Sequence, residues 1–116
     1  MKVLLVALME ITFDDFKKLD IRIGEVEEAE QIPESRNLIK LIVDFGFETR
    51  QCVAGLLNYY EPEEMVGKKF AFIMNIPRRT LMGTESQCMI LAAEDITGNV
   101  ALIGPEKDIA AGSKIG

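Results

Sequence analysis

Apolar and β-branched residues occur along this chain in short runs separated by glycine, proline or charged residues. Such runs, with such boundaries, are typical of β-strands. We predict five main strands, at residues 21–26, 38–45, 50–54, 68–74 and 87–93. A further short strand is predicted at residues 100–103, after turn-forming residues 97–99. Gly24 lies inside the first run and predicts a bend or bulge there.

A short helix is predicted before the first strand. Thr12 is followed three residues later by Asp15, which is a variant of the capping box that starts helices. Phe13, Phe16 and Leu19 then recur at three-residue spacing, so the helix has one apolar face. This face has two interpretations: it packs on the core, or it pairs with a second copy of the chain.

A second helical turn is predicted between the third and fourth strands. Pro62 is followed by two glutamates, which suit a first helical turn, and Gly67 suits the end of the helix. Five strands with a helical turn between the third and fourth follow the element order of an OB-fold. The predicted fold class is therefore all-β: a five-stranded OB-fold Greek-key barrel with a short N-terminal helix and a C-terminal extension.

The composition limits the chemistry that the chain supports. Its 116 residues indicate one domain, and they include no histidine and two cysteines, Cys52 and Cys88. The lack of imidazole removes most metal sites and the usual acid–base chemistry, and we interpret the cysteines as small buried residues. No pair of acids, cysteine–base pair or phosphate-cradling glycine loop stands out. We therefore predict no catalytic residue, no metal site and no cofactor.

The first ten residues form a separate, mostly apolar segment. Residues 1–8 resemble a signal peptide only weakly, because the apolar run is near the short limit and no small-residue cleavage site precedes Glu10. We interpret residues 1–10 as an arm or extra strand, and residues 11–116 as the domain. No run approaches membrane-spanning length. The sequence thus predicts a cytoplasmic protein with no membrane contact.

The segment of residues 75–89 is the most informative about function. It sets Arg78, Arg79, the amide of Asn75, and the thioethers of Met82 and Met89 close together, with a single acid. Residues 68–84 carry +4 in a chain of net charge −6, so the rest carries −10. Such a division repels RNA from most of the surface and leaves one face open to it. Arginine suits phosphate oxygens, and methionine gives soft contact to an unstacked base.

Several motifs in this chain resemble one known family. Residues 13–24 read FDDFKKLDIRIG, residues 53–56 read VAGL, residues 60–67 read YEPEEMVG and residues 83–93 read GTESQCMILAA. Together with the ending at residues 112–115, they are similar to the tRNA-binding domains of methionyl-tRNA synthetases. These domains occur as C-terminal domains, as beta subunits or as free-standing proteins. The resemblance covers residues 11–116.

The resemblance implies a homodimeric OB-fold barrel that binds the outer corner of folded tRNA without catalysis. Asn75, Ser86 and Met89 match family residues that are linked to the tRNA surface. Arg78 and Arg79 fall in the family's basic loop. The candidate tRNA-binding residues are Arg36, Asn75, Arg78, Arg79, Met82, Ser86 and Met89. In the family, the terminal segments pair the two copies. The candidate dimer interface comprises Phe13, Phe16, Leu19, Val100 and Leu102.

A sister group leaves a second function open. The CsaA proteins, described as export-related chaperones, share the domain and the dimer, and residues 32–36 and 75–79 look closer to them. The chain is thus a tRNA-binding module, alone or beside a methionyl-tRNA synthetase, or a peptide-binding chaperone with an exposed apolar groove. Two of these residues also have a structural interpretation. Ser86 either braces its loop or contacts RNA. Asn75 makes hydrogen bonds to the local backbone, with or without a contact to RNA as well.

Overall fold

The chain folds into β-structure with two short helices, in the part that the computed structural model describes, residues 9–116. The helices are α1, Phe13–Lys17, and α2, Pro62–Met65. The strands are β1 (Ile21–Gln31), β2 (Ile39–Asp44), β3 (Thr49–Ala54), β4 (Lys69–Ile73), β5 (Arg79–Leu81), β6 (Thr84–Ser86), β7 (Met89–Ile90), β8 (Ala92–Glu94), β9 (Val100–Leu102) and β10 (Lys114–Ile115). The arm predicted at residues 1–10 lies outside the described residues, except for its last two positions.

β1 is the strand around which the barrel is built. The sheet order is β3-β2-β1-β4-β7, and β10 returns to pair with the first two residues of β1. The first half of β1 pairs with β4 and the second half with β2, all antiparallel. A bulge between Val26 and Glu28 lets the strand bend between its two partners. The predicted OB-fold barrel and its C-terminal extension are confirmed.

Gly24 provides space for the core and does not form the bulge. A Cβ at this position would lie 2.5 Å from Cγ1 of Val43 and 2.6 Å from Cε1 of Phe45. Both of those side chains are fully buried. Glycine therefore lets β1 approach the packed interior, and the bend predicted at this residue occurs slightly later along the strand.

Large apolar side chains fill the barrel. Phe45 and Phe72 meet edge to face, with their ring centroids 5.4 Å apart. Met65 of α2 is fully buried in the same cluster, so the predicted helical turn contributes directly to the core. Cys52 and Cys88 are buried free thiols, as the sequence predicts.

Backbone and side-chain hydrogen bonds close the barrel between β3 and the segment before β7. The Gln87 N–H donates to the Gln51 carbonyl oxygen (2.8 Å), and the Gln51 N–H donates to the side-chain oxygen of Gln87 (2.9 Å). Arg50 donates to the carbonyl oxygens of Met74 (2.7 Å) and Gln87 (3.1 Å). Because these bonds satisfy the edge of β3, the loop that follows β4 is held against the barrel wall.

α1 starts as the sequence predicts but contributes nothing to the core. Thr12 Oγ1 accepts from the Asp15 N–H (3.0 Å), and the Asp15 carboxylate accepts from the Thr12 N–H (3.3 Å), which completes the capping box. The helix ends at Lys17, so Leu19 lies beyond it. None of the helical residues is buried. The apolar face of α1 therefore remains available to another surface.

The strand predicted at residues 87–93 is wrong in its extent. Only Met89–Ile90 pairs with β4, whereas Ala92–Glu94 pairs with Val100–Leu102 in a separate hairpin. The residues between β4 and β7, interpreted as a basic loop, form the hairpin of β5 and β6. A run of apolar residues thus divides between two sheets, which periodicity alone does not reveal.

Candidate nucleic-acid interface

The hairpin of β5 and β6 carries most of the candidate tRNA-binding residues. Met82 and Gly83 form its two-residue turn, with φ values of 48° and 78°. Such turns require positive φ at both positions, which is uncommon for methionine. The Gln51 side chain donates to the Glu85 carbonyl oxygen (2.8 Å) and ties the hairpin to β3. The turn therefore presents Met82, which is 58% exposed, from a fixed support.

Arg78 and Arg79 enter the hairpin in different surroundings. Arg78 Nη1 lies 3.4 Å from Oε1 of Glu85, and the two side chains are 62% and 46% exposed. An exposed pair of this kind contributes little, so it competes weakly with a phosphate. Arg79 is exposed and has no ion-pair partner among residues 9–116. Both guanidinium groups are accessible to an anion.

Ser86 lies in the barrel wall, where only 6% of it is exposed. Its Oγ accepts from the Val53 N–H (3.0 Å) and lies 3.1 Å from the carbonyl oxygen of Cys88 and 3.4 Å from that of Val53. The hydroxyl thereby accepts the hydrogen bond that the Val53 N–H of β3 would make to a neighbouring strand in a regular sheet. This geometry favours the bracing role, and contact between Ser86 and RNA stays a prediction.

Asn75 fastens α1 to the end of β4. Its Oδ1 accepts from the Asp20 N–H (2.8 Å), and its Nδ2 donates to the Lys18 carbonyl oxygen. The side chain is nevertheless exposed. An amide keeps one N–H hydrogen and one oxygen lone pair after two such bonds. Asn75 therefore has a structural role and retains capacity for a polar contact from outside.

A small cavity of about 160 Å³ opens between the hairpin and β3. The residues that line it include Gly55, Ile76, Pro77, Arg79, Met89 and Ile90. Cys88 also lines it, and the hydrogen bond with Cys52, together with burial, raises the pKa of the Cys88 thiol. Both apolar and polar surface line the cavity, and Arg79 places a cation at its edge. The sequence placed Arg79 and Met89 in one site but held no signal for the cavity between them.

The loop between β1 and β2 lies beside Gly55 and carries the exposed Arg36. The carbonyl oxygen of its neighbour Asn37 accepts from the Leu57 N–H (3.1 Å), and the Asn37 N–H donates to the Ser35 hydroxyl (3.2 Å). A Cβ built on Gly55 would lie 3.8 Å from Nδ2 of Asn37. In OB-folds the loops after the first and fourth strands flank the nucleic-acid face. Here the first of these loops lies beside Gly55, and the second lines the cavity together with Gly55.

Two of the four cations in the basic segment lie away from the hairpin. Lys68 and Lys69 lie where β4 begins, whereas the hairpin follows its other end, about 13 Å farther along at roughly 3.3 Å per residue. Lys69 Nζ donates to Oδ1 of Asp108 (2.8 Å) and to the Ile109 carbonyl oxygen (2.6 Å). The bond to Asp108 raises the pKa of the Lys69 ammonium. Of these four cations, only Arg78 and Arg79 therefore belong to the candidate interface.

The candidate dimer residues differ in how much surface they present. The Phe13 and Phe16 rings stack with centroids 6.4 Å apart, and Phe13 is 72% exposed. With Leu19 and the C-terminal residues they line a cavity of about 140 Å³. Val100 and Leu102 on β9 are half-buried, and Leu102 packs against the core of its own barrel. Within residues 9–116, the α1 group thus presents the larger exposed apolar surface.

An apolar groove of about 330 Å³ lies beside the C-terminal segment. Its walls include Ile23, Ala71, Ile103, Ile109 and Ile115. The chaperone hypothesis requires a groove of this kind, although it named no residue. In the sequence, only the isoleucines of the C-terminal segment indicate this groove. They do not alternate with polar residues in the pattern that would identify an apolar face.

The described chain offers little for metal chemistry. No group of three Cys, Asp or Glu side chains within residues 9–116 is placed to hold a metal ion. Over the same residues, no helix has the length and apolar character needed to cross a membrane. The candidate interface instead combines cations, an amide and a small, partly apolar cavity, which suits contact with phosphates and bases.

Known proteins share both the sequence pattern and the architecture. Residues 21–114 match the sequence profile of a family described as "Putative tRNA binding domain". The chain is 52% identical over 106 residues to the methionine–tRNA ligase of Methanocaldococcus jannaschii. That match covers 91% of this chain and 16% of the ligase, so the chain spans about one-sixth of this curated relative.

Two solved structures superpose closely on the barrel. The MetRS-related protein from Pyrococcus horikoshii is 41% identical, with a TM-score of 0.87 over 92% of this chain and 99% of that one. The chaperone CsaA from Bacillus anthracis is 32% identical, with a TM-score of 0.83 over the same shares. Because the family profile matches most of its length, the chain belongs to the tRNA-binding domain family related to methionyl-tRNA synthetases.

Proposed function

We propose that the chain is a non-catalytic tRNA-binding module that works as a homodimer and recognises the folded shape of tRNA. It acts in the cytoplasm, alone or beside a methionyl-tRNA synthetase. The observation that carries this proposal is the hairpin of β5 and β6. In a chain of net charge −6, it presents two accessible arginines, one of them at the edge of the cavity that Gly55 and Met89 line.

The hairpin binds through preorganised cations. Its attachment to β3 through Gln51 means that Arg78 and Arg79 lose little freedom when they meet phosphates. Arg36 approaches from the loop on the other side of Gly55, so the cations contact separate stretches of backbone. Contacts at fixed separations select a folded RNA by shape, because phosphates themselves carry no sequence information. Met82 and Met89 supply apolar contact beside them.

Titration of the chain with unfractionated tRNA at low and moderate salt tests this function. We expect binding that weakens steeply with salt, because phosphate contacts release counterions. A fully paired RNA duplex of similar length is the control for shape, and we expect it to bind more weakly. If no complex forms at either salt concentration, the proposal is wrong.

The homodimer is proposed to form through the apolar face of α1. Exchange of Phe13 for glutamate puts a charge into that contact, so we expect a monomer in sedimentation velocity and a severalfold weaker complex with tRNA. The fold is expected to survive, because Phe13 is largely exposed in the single chain. Ile96→Glu, at a fully exposed turn residue, is the matched control and leaves the dimer intact. A dimer that persists in Phe13→Glu places the pairing surface elsewhere.

A CsaA-like peptide-binding chaperone is the second candidate function. The apolar groove lined by Ile103 and Ile109 supports it, because exposed apolar surface of this kind binds unfolded segments. An aggregation assay with a chemically denatured client protein separates the two functions. Protection that is lost in Ile109→Lys supports the chaperone, and the absence of protection by the unaltered chain removes it.

A further inference from the structure

We propose that the cavity between the hairpin and β3 receives one unstacked nucleobase of a bound RNA. This inference rests on the proposed function and specifies what the tRNA site recognises. It adds a base-binding pocket to the phosphate-binding arginines. The pocket is bounded by Gly55 on one side and by Met89 and Pro77 on the other, with Arg79 at its edge.

The size of the cavity restricts its occupant. Its volume is about 160 Å³, well below the roughly 300 Å³ at which pockets for drug-sized ligands begin. A dinucleotide or a folded peptide segment therefore does not fit inside it, whereas a single planar heterocycle does. An isolated base becomes available only where RNA is unpaired, as in the loops at which folded RNA is usually recognised.

The lining chemistry suits the face of a base and the phosphate attached to it. Ile76, Pro77, Met89 and Ile90 provide apolar contact, and the polarisable thioether of Met89 packs well against a ring. Arg79 lies at the same cavity and has no ion-pair partner within the described chain. Its guanidinium reaches the backbone phosphate or stacks on the base, so that a base in the cavity remains joined to its charged backbone.

Gly55 differs from the glycines that the fold requires. A Cβ on Gly104 would collide with backbone at 2.7 Å from the Lys69 carbonyl oxygen, and one on Gly112 would collide with the Phe45 carbonyl oxygen. At Gly55 the nearest atom is 3.8 Å away, which is ordinary contact, and the backbone is outside the left-handed region. A side chain here would point towards Asn37, which does not line the cavity, so Gly55 contributes bare backbone to the cavity wall.

The experiment compares three probes that carry the fluorescent base 2-aminopurine. One is an RNA stem with a single bulged 2-aminopurine, the second is the same stem with that base paired, and the third is the free riboside. We expect the bulged stem to bind severalfold more tightly than the paired stem, because only its unpaired base can bury its ring faces in the cavity. The riboside is expected to bind weakly because it lacks phosphate contacts.

Fluorescence reports where the base goes. None of the residues that line the cavity is aromatic, so a 2-aminopurine that leaves its stack and enters the cavity is expected to brighten. Ile76→Ala removes an apolar wall of the cavity and is expected to reduce both the brightening and the preference for the bulge, while paired-stem binding stays the same. Ile96→Ala, at a fully exposed turn residue outside the cavity, is the matched control. Met89→Ala removes a second wall and replaces Ile76→Ala if that variant does not fold.

The outcomes separate this inference from the function on which it rests. If the chain binds tRNA but binds bulged and paired stems equally, the base pocket is wrong and the proposed function stands. If Ile76→Ala and Met89→Ala both retain the full bulge preference and brightening, the base binds elsewhere and the pocket is again wrong. If the chain binds neither tRNA nor either stem, both the pocket and the proposed function fail. Tight binding of the riboside alone identifies a free-nucleoside site in place of an RNA-linked one.

Discussion

Replacement of Arg78 and Arg79 together by alanine is expected to weaken tRNA binding by roughly ten- to a hundredfold. A hydrogen bond to a charged partner contributes about 1.5–3 kcal/mol, and exposure to solvent reduces this value. Two reduced contributions correspond to about 1.4–2.8 kcal/mol, at tenfold per 1.4 kcal/mol. Fluorescence anisotropy of labelled tRNA, titrated at a fixed salt concentration, measures the loss.

The same variant is expected to change the salt dependence of binding but not the stability of the fold. Each lost phosphate contact reduces the slope of log K against log salt by about 0.7–0.9, so the slope falls by about 1.5. Neither arginine is buried, and the one ion pair removed is the exposed contact between Arg78 and Glu85. The free energy of unfolding should therefore change by less than about 0.5 kcal/mol.

A double replacement of Lys68 and Lys107 by alanine is the matched control. Both lysines are exposed and line a separate open cleft beside Glu25, so the variant removes equal charge away from the hairpin. We expect it to retain most of the tRNA affinity. Equal losses in the two double variants would show that net charge drives binding and that the hairpin is not the interface.

The parts of the fold that the sequence predicted are those with local signals. Thr12 and Asp15 lie within one helical turn of each other, and their capping bonds form as expected. Pro62 marks the start of α2 in the same way, because proline suits a first helical turn. The order of the elements then led to the barrel, since few folds combine five strands with one helical turn at that place.

The hairpin of β5 and β6 was not predicted because its turn lacks the usual residues. Two-residue hairpins favour asparagine or aspartate before glycine, whereas this turn has Met82 before Gly83. Its strands are only three residues long, too short to show alternation. Tertiary bonds compensate for the weak local preference, since Gln51 holds the hairpin from β3. The geometry of the site therefore depends on contacts that are distant in sequence.

Net charge along the chain was also an incomplete guide to the site. Residues 68–84 form one basic segment in sequence, but β4 separates its lysines from its arginines. Lys69 is engaged by Asp108, a residue near the other end of the chain. The cavity beside Arg79 has the same origin, because Gly55, Pro77 and Met89 come from three separate segments. Sequence reasoning found the types of residue, and the barrel determines which of them meet.

Barrel closure and the candidate interface share the same residues, which links stability to binding. Gln51 and Gln87 join β3 to the segment before β7, and that segment continues from the hairpin. A variant that loosens this seam would move the arginines as well. Tests of individual residues must therefore measure stability and affinity separately. At Ser86, the two measurements distinguish a role in bracing the barrel from a contact with RNA.

Ser86→Ala is expected to destabilise the barrel by about 1–3 kcal/mol, because the Val53 N–H loses its acceptor at a buried position. For a domain near 100 residues, the melting temperature falls by roughly 4–8 °C per kcal/mol. Calorimetric or circular dichroism melting measures this shift. Measured well below that temperature, tRNA affinity is expected to be unchanged, since the hydroxyl faces the barrel wall.

Ser113→Ala is the matched control for this prediction. The Ser113 hydroxyl also donates to a carbonyl oxygen, that of Ala110 (2.6 Å), but it does so in an exposed loop. Its removal should change stability by less than about 0.5 kcal/mol, because water replaces the lost bond. A large drop for Ser86→Ala alone supports the bracing role. A loss of tRNA affinity with no loss of stability contradicts that role and places Ser86 in direct contact with RNA.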